Sequence, residues 1–147
     1  MKTLSIRRAT AHDIAAITEL VNQLGYHTEV EKVAKRMAKI EASEYYETLV
    51  SETGGKVVGF IGLCQCHAYE YDGDYVRIIA MAVNEQYRGQ GIGTELLLAA
   101  EKWAEQKAAV SLAVNSGTKR ERAHKFYTDH GYRVKGYSFF KSLNSIQ

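Results

Sequence analysis

The spacing of apolar residues changes several times along the chain, and each change marks an element. Leu4 and Ile6 sit among polar neighbours, which reads as a short first strand, Leu4–Arg8. Ile14, Ile17, Leu20, Val21 and Leu24 recur at helical spacing behind Thr10 or His12-Asp13, and Gly25 ends the run. Val33, Met37 and Ile40 mark one face of a more polar helix, Val30–Ile40. Glu47–Ser51 and Lys56–Tyr69 read as strands joined at Thr53-Gly54-Gly55, and Asp72-Gly73-Asp74 predicts a second hairpin turn. The next strand, Tyr75–Val83, is so continuously apolar that it belongs at the centre of a sheet. Ile92, Leu96, Leu97, Ala100, Trp103 and Ala104 line one face of the clearest helix, Gly91–Lys107. Val110–Val114 reads as a strand, and Lys119–His130 as a helix closed by Gly131. Tyr132–Val134 and Tyr137–Ser142 read as two last strands. The order β-α-α-β-β-β-α-β-α-β-β predicts a mixed α/β layer fold. With 147 residues and no repeat, low-complexity stretch or linker, the expectation is one domain, 1–147.

Between the central strand and the strong helix lies Tyr-Arg-Gly-Gln-Gly-Ile-Gly, Tyr87 to Gly93. A helix N-terminus presents unpaired N–H groups and roughly half a positive charge. Glycines let a ligand approach the backbone closely, so the pair makes an anion site suited to phosphate. The dinucleotide pattern fails, because the glycines fall at 89, 91 and 93, and no Gly-Lys-Ser/Thr follows to make a P-loop. The competing reading is that the glycines merely permit a tight strand-to-helix turn. Arg88, the alternation of the glycines and the abrupt amphipathic helix favour the anion site.

Composition narrows the partners. Apolar residues make up 46% and charged residues 24%, ordinary for a globular protein, and the net charge is only +2. Lys and Arg are scattered, so neither nucleic acid nor another strong polyanion is expected. The lack of a signal peptide or an apolar run near 18 residues predicts no membrane association and a soluble, cytoplasmic protein. Cys64 and Cys66 share one face of a strand, a poor disulfide geometry, and read as buried structural thiols. His67 would point to the other face, so no metal is expected.

The stretch Asn-Glu-Gln-Tyr-Arg-Gly-Gln-Gly-Ile-Gly-Thr-Glu-Leu-Leu after Val83 resembles the signature of the GNAT N-acetyltransferase superfamily, with Arg88, Gly91 and Gly93 matching its Arg/Gln-x-x-Gly-x-Gly/Ala core. Asn115 and the run Ala123, Phe126, Tyr127, Gly131, Tyr132 match a second family pattern, and the element order fits the GNAT fold throughout. The resemblance implies a mixed central sheet flanked by helices, splayed between its two parallel central strands, with acetyl-CoA bound in the splay. Backbone groups of Met81, Ala82 and Val83 would pair with the pantetheine arm, and Asn115 would contact it. N–H groups of Arg88, Gly89, Gln90, Gly91, Ile92, Gly93 and Thr94 would hold the pyrophosphate. Tyr127 would protonate the leaving thiolate, and backbone N–H groups near Ala82-Val83 would face the oxyanion. Many relatives place Pro near Asn84-Glu85; this chain does not.

Acetyl transfer needs a neutral amine, a stabilised oxyanion and a protonated leaving group. Freeing an alkylammonium of pKa about 10.4 at pH 7 costs roughly 4.6 kcal/mol. Relatives often carry a Glu for this on the strand before the signature, where this chain has Arg77 and Ala80. The remaining candidates are His67, Tyr69, Glu70, Asp72, Asp74, Tyr26 and His27, or a water chain. Each named residue reads equally as a solvated loop position. Arg77 could meet an acidic acceptor group or simply be a surface strand residue. The expected activity is acetylation of a small-molecule primary amine by direct attack in a ternary complex, and the later motifs are similar to aminoalkylphosphonate and aminoglycoside acetyltransferases. A protein or peptide acceptor and a non-catalytic acetyl-CoA-binding module are the alternatives. Dimerisation is common in the family, which leaves a homodimer open.

Overall fold

The computed structural model describes residues 3–116 and 120–144. Contacts divide the chain into two compact units, one running to Val114 and the other starting at Asn115.

The first unit holds a five-stranded sheet in chain order, from β1 (Leu4–Arg8) through β2 (Tyr46–Thr53), β3 (Lys56–His67) and β4 (Asp74–Val83) to β5 (Ala109–Val114). The first four strands pair antiparallel, and β5 runs parallel to β4. Helices α1 (Ile14–Gln23) and α2 (Val30–Glu41) lie between β1 and β2 in the chain, and α3 (Ile92–Gln106) links β4 to β5. Each helix buries the stripe its spacing predicts: Ile17 and Leu20 on α1, Val33 and Met37 on α2, and Ile92, Leu96, Leu97, Ala100, Trp103 and Ala104 on α3. The α1 and α2 stripes pack on Val50, Phe60 and Ala82. Residues alternate faces along a strand, so Ile61, Leu63, Val76 and Ile78 bury on the other side, where α3 packs.

Thr10 starts the α1 region. Its side chain accepts from the His12 N–H at 3.3 Å, while the Asp13 carboxylate accepts from the Thr10 N–H at 2.8 Å. Arg7 grips the same carboxylate with two bonds of 2.8 and 2.9 Å and reaches Glu52 at 2.7 Å. Asp13 is only 4% exposed.

Several sequence expectations need correction. The strand from Lys56 ends at His67, so the hairpin loop spans 68–73 rather than a tight turn at Asp72-Gly73-Asp74. Cys64 and Cys66 are free thiols but only half-buried, because the cluster under α1 and α2 takes Phe60 and stops short of them. In the second unit α4 (Glu121–Asp129) forms, with the predicted start at Lys119 lying outside the described residues. The two final strands do not form: residues 132–142 carry no ladder, and Tyr137 and Phe139 are 91% and 93% exposed. Alternation alone cannot make a strand where no neighbour supplies the hydrogen bonds.

Candidate active site

The glycine turn is built from β4 outward. Asn84, 5% exposed, ends the strand; its N–H donates to the Val58 carbonyl at 2.8 Å, and its side chain accepts from the Gln86 N–H at 3.0 Å. This caps a 3-10 turn over Glu85–Tyr87 that sequence reading missed. The Glu85 N–H donates to Gln23 Oε1 on α1 at 3.0 Å, a bond that proline at 85 could not make. Asn84 itself holds φ −52°, close to the value proline fixes.

Arg88 continues extended, and then Gly89 and Gly91 both turn to φ +80°. L side chains rarely adopt that conformation. Added Cβ atoms at Gly89 and Gly91 would meet nothing within 4 Å, so the turn encloses open space. Gly91 is the N-cap of α3 and has no side chain with which to cap it. Arg88, Gly89, Gln90, Gly91, Ile92, Gly93 and Thr94 therefore form one run of backbone at the positive end of a fifteen-residue helix. A pyrophosphate suits such a site in charge.

A second feature leads away from that turn. The parallel ladder runs from Asp74–Ala109 to Ile78–Val114, whereas β4 continues through Ile79–Val83. Met81, Ala82 and Val83 thus pair with Ile61, Phe60 and Gly59 of β3 on one edge, beyond the last β5 partner on the other. Alternate residues of an extended stretch present N–H and C=O to that second edge, which is what an elongated amide-bearing arm would need.

At the apex of this opening β4 carries an extra residue. Gly62 pairs with Ala80, but Leu63 pairs with Ile78, so Ile79 is a bulge and is 50% exposed. The bulge reverses the alternation. Tyr75 and Arg77, opposite Cys66 and Cys64, fall on the face of Ala80 and Ala82. With Tyr46, the β2 partner of Cys64, they form a half-buried strip on the sheet face carrying α1 and α2. The two sulfurs are 3.9 Å apart. Burial raises the Cys64 pKa above the ordinary thiol value, with Cys66 adding to the rise, and the adjoining Cys64 raises that of the Tyr46 phenol. The grouping is invisible in sequence, because it depends on the bulge.

Among the base candidates, His67 Nδ1 lies 2.7 Å from Asp74 Oδ1, and Gln65 Nε2 donates to Asp74 Oδ2 at 2.6 Å. His67, then Gln65, hold Asp74 below the usual carboxylate range, so it is ionised well before neutrality. Tyr69, Glu70 and Asp72 are exposed loop residues, as are Tyr26 and His27 between α1 and α2. A separate cavity of about 470 Å³ is lined by Arg7, Asp13, Glu19 and Glu52, but its Arg7, Asp13 and Glu52 charges are satisfied by one another.

Asn115 and Tyr127 belong to the second unit. Asn115 is exposed. Tyr127 on α4 is half-buried, with its ring 5.3 Å from Phe126 and 5.7 Å from Tyr132. Burial raises its pKa, partly offset by Arg120, so the phenol stays protonated at neutral pH.

Comparison with known proteins bears on the family and the fold. The sequence model of the acetyltransferase (GNAT) family matches residues 14–132. An aminoalkylphosphonate N-acetyltransferase of Salmonella typhimurium is 28% identical over 97% of this chain and 94% of its own length. A solved GNAT family acetyltransferase of Staphylococcus aureus superposes with a TM-score of 0.84 at 26% identity, covering 97% of this chain and all of that one. An aminoglycoside N-acetyltransferase solved with CoA shares the fold, with a TM-score of 0.86 at 16% identity over 98% of this chain and 97% of its own.

Proposed function

The chain belongs to the GNAT acetyltransferase family and is an N-acetyltransferase, and from that premise we propose that it carries acetyl from acetyl-CoA to a primary amine of a small molecule. The observation that carries this reading is the continuity of two features. Past its last β5 partner at Ile78, β4 continues through Ile79–Val83 directly into the glycine turn at the positive end of α3. An elongated thioester with a pyrophosphate at one end suits that path: pyrophosphate on the Arg88–Thr94 backbone, pantetheine along Met81–Val83 and against Asn115, acetyl group toward the Ile79 bulge.

In this reading the chemistry is a direct attack within a ternary complex. The amine nitrogen bonds to the acetyl carbon, and a β4 backbone N–H beside the acetyl group faces the oxyanion. The C–S bond then breaks, and the Tyr127 hydroxyl gives its proton to the departing sulfur. The family likeness supplies Tyr127, and its raised pKa suits a donor. The proton leaving the amine passes to solvent or to the His67–Asp74 pair. Because the family match spans residues on both units, we read the two as parts of one catalytic domain. The need for acetyl-CoA places the work in the cytoplasm.

The test is release of CoA thiol from acetyl-CoA against aminoalkylphosphonates, aminoglycosides, polyamines, amino acids and short peptides. Turnover confined to one small-molecule class is the expected result. Turnover on peptides alone would replace the small-molecule acceptor with a protein one. Silence with measurable acetyl-CoA binding would make the chain a cofactor-binding module.

A further inference from the structure

Arg77 stands in an unusual place. It lies on β4, in register with Cys64 on one side and Ala113 on the other, one residue before the Ile78–Val114 pair that closes the parallel ladder. Its neighbours across the face are thiols and phenols: Cys64, Cys66, Tyr46 and Tyr75. It is half-buried, yet among the described residues its side chain makes no hydrogen bond and no ion pair. Other arginines of the same sheet are paired, Arg7 with Asp13 and Glu52, and Arg8 with Glu47. A guanidinium drawn partly out of water without a counter-charge is costly, and partly buried cations are normally neutralised.

We propose that Arg77 receives the oxyanion of the acceptor, so that the substrate is a short amine carrying a phosphonate or carboxylate. This rests on the acetyltransferase reading above and names its acceptor class. If the acetyl group sits at the Ile79 bulge, Arg77 lies two residues along the strand, about 6–7 Å away in rise. A two- or three-atom spacer between amine and oxyanion bridges that gap. The planar fork of Arg suits either oxyanion with two parallel bonds. Tyr46 and Tyr75 offer hydroxyls beside it. A polycationic acceptor would instead meet an uncompensated like charge.

Initial rates with 2-aminoethylphosphonate, 3-aminopropionate and n-propylamine test this, on the wild type, Arg77→Met and Arg77→Lys. The wild type should prefer at least one anionic amine to propylamine, and which one identifies the oxyanion. Arg77→Met should lower kcat/KM for that amine roughly 10- to 100-fold relative to propylamine, mainly through KM, as expected for a lost charged bidentate contact. Arg77→Lys should keep an intermediate preference. Equal losses on all three amines would overturn the proposal, as would a wild type indifferent to the anion. If no amine is acetylated, the acetyltransferase reading fails by itself. Binding of 2-aminoethylphosphonate followed by ³¹P NMR with acetyl-CoA present then decides on Arg77 alone: loss in Arg77→Met supports the site, and equal binding, or none by the wild type, removes it.

Discussion

Tyr127 and Asp13 are each held in one protonation state, by opposite means. Burial keeps the Tyr127 phenol protonated, so removing its hydroxyl should remove a proton donor without disturbing a charge. Tyr127→Phe should lower kcat by roughly 10²-fold or more, the ordinary yield of general acid catalysis, with the acetyl-CoA Kd unchanged by equilibrium titration. Unchanged kcat would make the ring packing alone. Asp13 is held ionised, chiefly by the Arg7 hydrogen bonds, which lower its pKa. A lowered folded pKa adds stability above the unfolded value of about 3.9, and that stability is lost as pH falls through the folded pKa. Asp13→Asn should therefore cost about 2 kcal/mol at pH 7, below the usual range for buried pairs because Arg7 is 37% exposed. Denaturant melts should show the difference shrinking below about pH 4. At this scale the motif residues Arg88, Gly91 and Gly93 were legible in sequence. Arg77 was visible only as an anomaly, because its face follows from a bulge that strand periodicity does not contain.

The elements that matter most are α3 and the turn feeding it. The α3 stripe was legible because six apolar residues at helical spacing admit one buried face. The burial of Asn84 was not, since the carbonyl that takes its backbone N–H, that of Val58, is 26 residues away. Asn84→Ala should lose about 1 kcal/mol and weaken acetyl-CoA binding by loosening the turn. Gly91→Val introduces a side chain at φ +80°, a conformation costing roughly 1–2 kcal/mol for a non-glycine residue. It also fills the space that would take the pyrophosphate. Isothermal titration should show acetyl-CoA affinity lowered by at least tenfold, and unchanged affinity would remove the phosphate from this turn. The strands expected at 132–134 and 137–142 failed for a related reason: alternating tyrosines and phenylalanines resemble a strand, but pairing is supplied by neighbours, not by composition.

For the molecule as a whole, the fold class followed from element order, since a strand, a helix and a parallel strand define the β4–α3–β5 crossover. A ligand bound only by the folded state should raise the melting temperature. At acetyl-CoA a hundredfold above Kd the gain is about 2.7 kcal/mol, or roughly 5–10 °C for a chain of this size. Calorimetry should show that shift in the wild type and its loss in Gly91→Val. The Ile79 bulge bears on how such a sheet changes over generations. A strand has a reading frame of two, and one inserted residue changes the frame of everything on one side of it. Here the shifted frame is enforced, because Val76 and Ile78, 0% and 3% exposed, occupy the opposite face. Deleting Ile79 would bring the pairs Gly62–Ala80 and Leu63–Ile78 into one regular ladder, with Val76 and Ile78 still buried and Tyr75 and Arg77 still on the opposite face. A lineage can therefore gain or lose the residue at 79 without turning over the faces that the rest of the strand presents.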